Sequence, residues 1–68
     1  MADYLVTSRE AYAVLAQYRH ESSARRTAKR ESCSVVKEHI QVRIRHDYPS
    51  NPMHCCVVAE YYDGQVVK

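Results

Sequence analysis

Proline and glycine are nearly absent from most of this chain. Neither occurs in residues 1–48, the two prolines are Pro49 and Pro52, and the only glycine is Gly64. These residues are the strongest local punctuation a backbone has, so the sharp turns are expected late and the first two-thirds should run in long elements. Glycine-rich phosphate loops and dinucleotide fingerprints, which need several glycines at fixed spacing, are excluded outright.

The first element reads as a short strand over residues 3–6. Thr7-Ser8-Arg9-Glu10 then has the form of a capping box, with threonine at the N-cap and glutamate three residues on. Ala11, Val14, Leu15 and Tyr18 follow at helical spacing, and the alanines at 11, 13 and 16 add helix propensity. The spacing predicts a helix over about residues 8–20, with Leu15 at the centre of its buried stripe. Residues 19–32 (RHESSARRTAKRES) contain no large apolar side chain. Ala24 and Ala28 stand at i, i+4, so the helix is expected to continue to about Glu31, running along the surface or projecting from it, with residues 22–23 the place for a break if Ser22 or Ser23 instead caps a second short helix.

From Ile40 the period changes to two. Ile40, Val42 and Ile44 alternate with Gln41, Arg43 and Arg45, which reads as a half-buried strand with a basic outer face. Residues 48–52 (YPSNP) form a turn by composition, and residues 54–62 read as the next strand. Asp63-Gly64 is a two-residue hairpin signal leading to a last short strand over 65–67. The expected fold is a single α+β domain spanning 1–68, in the order β-α-β-β-β. One long helix packs on a three- or four-stranded antiparallel sheet.

Size and composition narrow the function classes. Sixty-eight residues bury only ~60% of the unfolded surface, so the core is thin and a homodimer is compatible with it. No run of apolar residues approaches the ~18 of a membrane span, and residues 1–8 lack a secretory leader's basic and apolar regions. The three cysteines are an odd number and fit reduced thiols, so a cytoplasmic location is expected. Cys33, His39, His46, His54, Cys55 and Cys56 lack the paired spacing of structural zinc ligands. The carboxylates stand singly, and no glycine-rich turn accompanies any cysteine–histidine pair. No metal, cofactor, small-molecule substrate or enzymatic activity is therefore expected.

The charge is unevenly placed. Residues 1–18 carry −1, residues 19–46 carry +5 and residues 47–68 carry −2. Arg25, Arg26, Lys29 and Arg30 form the densest group, with Arg19 upstream and Arg43 and Arg45 on the strand. Several cations on one rigid element suit phosphate contact. The competing reading is a solvated helix end, where cations gain ~0.3–1 kcal/mol each from the helix dipole. No aromatic interleaves residues 25–30, so base stacking is not expected there.

The function expected is non-catalytic binding of nucleic acid, or of a nucleic-acid–protein complex, through Arg19, Arg25, Arg26, Lys29, Arg30, Arg43 and Arg45. The alternative is an inhibitor or adaptor that meets an acidic protein surface. It would use the same cations, the sheet face and a tyrosine rim of Tyr48, Tyr61 and Tyr62. Small chains of this kind are common among phage and mobile-element accessory proteins, an association and not a physical argument.

Overall fold

A computed structural model of the chain describes residues 3–46 and 50–68. The elements are β1 (Asp3–Ser8), β2 (Ala13–Tyr18), α1 (Glu21–Ser32), β3 (Ile40–Arg45), β4 (Cys56–Tyr62) and β5 (Gln65–Val66), with a 3-10 turn at Pro52–His54 before β4. The strands form one sheet in the order β2-β1-β3-β4-β5. Each neighbouring pair is antiparallel. β2 and β3 both run antiparallel to β1, so they are parallel to each other. Parallel strands need a long crossover, and α1 lies in it.

The α+β class is therefore as expected, but the sheet has five strands and the first half of the chain differs. Residues 8–20 are not a helix; they hold the turn and second strand of a β-hairpin. A turn without glycine is possible because Tyr12 adopts φ 52°, a conformation that is unusual for an aromatic residue. The groups of the capping box serve other partners. Thr7 Oγ1 donates to the Gln41 carbonyl at 3.4 Å. Ser8 Oγ accepts from Ala11 N at 3.1 Å. The Glu10 carboxylate accepts from His39 N at 2.7 Å. Leu15, expected at the heart of the core, is 44% exposed. Pairing with β1 has overridden a modest helix propensity.

The helix begins at Glu21, after an extended His20 that makes no side-chain cap. It does not project from the molecule. Ala24 and Ala28 are fully buried against Val6, Ile40, Val42, Ala59 and Tyr61. Two alanines one turn apart let the helix axis approach the sheet closely, which a larger side chain would prevent.

The opposite sheet face is covered too. Leu5 points away from Val6 and is 1% exposed. Asn51 caps the 3-10 turn, its side chain accepting from Met53 N at 3.0 Å. Pro52 occupies the first turn position, where its missing N–H costs nothing. The chain then crosses this face, burying Met53 and Cys55. The expected turn over 48–52 falls partly outside the described residues, at Tyr48 and Pro49.

Asp63 (φ 53°) and Gly64 (φ 79°) both take positive φ, the type I′ geometry that an Asp-Gly pair favours. The turn docks on the end of α1. Gly64 N donates to Ser32 Oγ at 2.9 Å and Asp63 N to the Ser32 carbonyl at 3.2 Å. A Cβ on Gly64 would press on Cys33 Sγ. Gly64→Ala is therefore expected to destabilise by ~1–2 kcal/mol from the backbone alone, with further loss from the thiol contact. Adding Cys33→Ala should recover only the contact part. Urea midpoints of the single and double variants measure both contributions.

Candidate nucleic-acid interface

The cations divide into two groups. Arg19, Arg26, Lys29 and Arg30 are exposed and form no ion pair among the described residues. Arg26, Lys29 and Arg30 stand at i, i+3 and i+4 on α1, so their side chains are neighbours on its outward side. The buried Ala24 and Ala28 hold the opposite side of the helix against the sheet, which fixes the direction in which these cations project.

The other cations have internal partners. Arg25 is half-buried and pairs with Glu21 at 2.7 Å. It also donates to the Tyr61 hydroxyl at 3.4 Å. The hydrogen bond to Glu21, followed by that to Tyr61, raises its pKa above the ordinary arginine value.

Arg43 was expected on a solvated face and is instead tied into the interior. Its Nη1 donates to the carbonyls of Met53 and Cys55, each at 2.7 Å. Nη2 donates to Gln41 Oε1 at 2.7 Å, and Nε to Thr7 Oγ1 at 3.2 Å. Gln41 donates in turn to Glu60 at 2.9 Å, and Glu60 is 3% exposed. At Gln41 and Arg43 the β3 outer face is therefore a buried to half-buried polar row and not a free basic surface. Arg45 is half-buried at the end of β3, opposite Asp3.

The tyrosines also separate. Tyr61 is buried in the helix-side core, which removes it from the exposed rim. Tyr62 is 36% exposed and stacks on His39 with ring centroids 4.4 Å apart. Tyr48 lies outside the described residues.

The clamp around His39 had no local signal in the sequence. Glu10 Oε1 meets His39 Nδ1 at 2.6 Å, and these residues are distant in the chain. Burial pushes the Glu10 carboxyl up, but its hydrogen bonds from the His39 side chain and backbone outweigh that and hold it below the usual carboxylate value. A carboxyl with a lowered folded pKa binds its proton first in the unfolded chain. Its stabilisation is present above the unfolded value of 4.5 and is lost as pH falls through the folded one. Glu10→Gln should therefore lower the urea midpoint near neutral pH, and the gap from wild type should close progressively on acidification below 4.5.

The three cysteines are free thiols. Among the described residues, no group of three or more His, Cys, Asp or Glu side chains could hold a metal ion, and no helix is long and apolar enough to cross a membrane. Comparison with family models, curated proteins and solved structures produced no match to the chain.

Proposed function

We propose that this protein is a non-catalytic binding module that engages the phosphate backbone of a nucleic acid through the outward side of α1. One observation carries the reading. Arg19, Arg26, Lys29 and Arg30 are exposed, without ion-pair partners among the described residues, on or beside one helix that is anchored by its buried alanines. Phosphates are recognised by such point charges and forks, and neutralising them releases condensed counterions. A surface without aromatic side chains between its cations favours backbone contact over base stacking, and so a duplex over a splayed single strand.

Fluorescence anisotropy with labelled duplex DNA and duplex RNA tests this. R26A/R30A is expected to bind both more weakly, by a similar factor for every sequence tried, because phosphate contacts carry no base information. Far-UV circular dichroism should be unchanged, since both side chains are exposed. Full retention of binding by R26A/R30A would reduce the patch to a solvated helix face.

A further inference from the structure

We propose that β2 is a self-association edge, through which two copies of this chain pair antiparallel about a two-fold axis at Ala16. β2 is a terminal strand of the sheet, and no other described strand covers its outer side. An open edge presents unpaired N–H and C=O groups, and proteins ordinarily blunt such edges with lysine, proline or very short strands. The opposite edge, β5, has only two residues. β2 has six, Ala-Val-Leu-Ala-Gln-Tyr, without a charge or a proline. Val14 and Leu15 are 42% and 44% exposed on it.

A second copy suits this edge better than a foreign strand for two reasons. The first is symmetry. A two-fold axis makes the edge meet its own sequence reversed, so an edge bearing charges of one sign would oppose like charges, and a neutral edge meets no such penalty. The faces also match. Ala16 and Tyr18 lie on the helix side with Ala13, whereas Val14 and Gln17 oppose Thr7 and Leu5 on the other. An axis at Ala16 sets Ala13 against Tyr18 of the second copy, and Val14 against Gln17, each pair sharing a face. Leu15, the extra residue of the bulge, has no partner on β1 and stays unpaired in the same way.

The second reason is the core. The largest fully buried side chains are Leu5, Ile40, Val6 and Val42, with no aromatic among them. Chains this small commonly supplement such a core by oligomerising. A single strand pair lies at the low end of specific interfaces, below ~1,200 Å², so association should be micromolar or weaker. Both α1 helices would then lie on the same side of a continuous sheet.

Sedimentation equilibrium from about 10 µM to about 1 mM tests the proposal across the range expected for a small interface. The mass should rise from 7.9 kDa towards twice that value. V14K/Q17K sets like charges opposite each other across the axis and should weaken association by about tenfold or more. V14K/Q17E sets opposite charges there and should associate within about threefold of wild type. Circular dichroism of each variant confirms folding at these exposed positions. Three results overturn the proposal: a wild-type chain still monomeric at the highest concentration, V14K/Q17K associating like wild type, or V14K/Q17E dissociating like V14K/Q17K.

Discussion

Leu5→Ala is expected to cost ~2–5 kcal/mol, the range for truncating a buried leucine that leaves a cavity. Leu15→Ala, measured at low micromolar concentration, should cost under ~1 kcal/mol, as exposed positions do. The chain has only two leucines, and they report on opposite accounts of its first third. Leu5 lies opposite Arg43 across β1 and β3 and is fully removed from water. Leu15 lies at an open edge. A helix over residues 8–20 would reverse the order. For a domain of this size the Leu5 loss is a large part of total stability, so urea midpoints will separate the variants clearly. Equal midpoints would contradict the hairpin.

Arg43→Ala should be the other large effect, at ~2–4 kcal/mol. Its guanidinium donates to two carbonyls, a glutamine and a threonine. Its removal takes the donor from the Met53 and Cys55 carbonyls, at ~1–3 kcal/mol for each group left unsatisfied, while the Thr7 hydroxyl still donates to Gln41. Arg43→Lys should recover less than half of the loss, because an ammonium cannot span a fork of separate acceptors. Arg26→Ala, on the exposed side of α1, should change stability by under ~0.5 kcal/mol. Thermal melts of the three variants decide the matter. An Arg43→Ala protein as stable as wild type would show that the segment before β4 is not held by this side chain.

The parts of the fold that were legible are those encoded by neighbouring residues. The alternation from Ile40 to Arg45 marks β3, and Asp63-Gly64 marks the last hairpin. Both signals arise from local backbone geometry, and both hold. The first hairpin was not legible because its turn has no glycine and relies on Tyr12 in a rarely used conformation. Val14, Leu15 and Tyr18 also satisfy a helical period, and only pairing with β1 decides between the two. The exposed cations on α1 follow from helical spacing once the buried alanines set its orientation. The placement of Arg43 among internal acceptors and of Tyr61 in the core does not follow from spacing. It depends on how the segment before β4 crosses one face and how α1 covers the other, and both are non-local facts.

The central claim is that the outward cations of α1 neutralise phosphates, and the salt dependence of binding tests it most directly. Four phosphate contacts on duplex DNA give a log–log slope of about −3.6, and two give about −1.8. Between 50 and 200 mM salt, wild-type affinity should therefore fall by about 150-fold, and that of R26A/R30A by only about 12-fold. Equal falls for the two proteins would contradict the account.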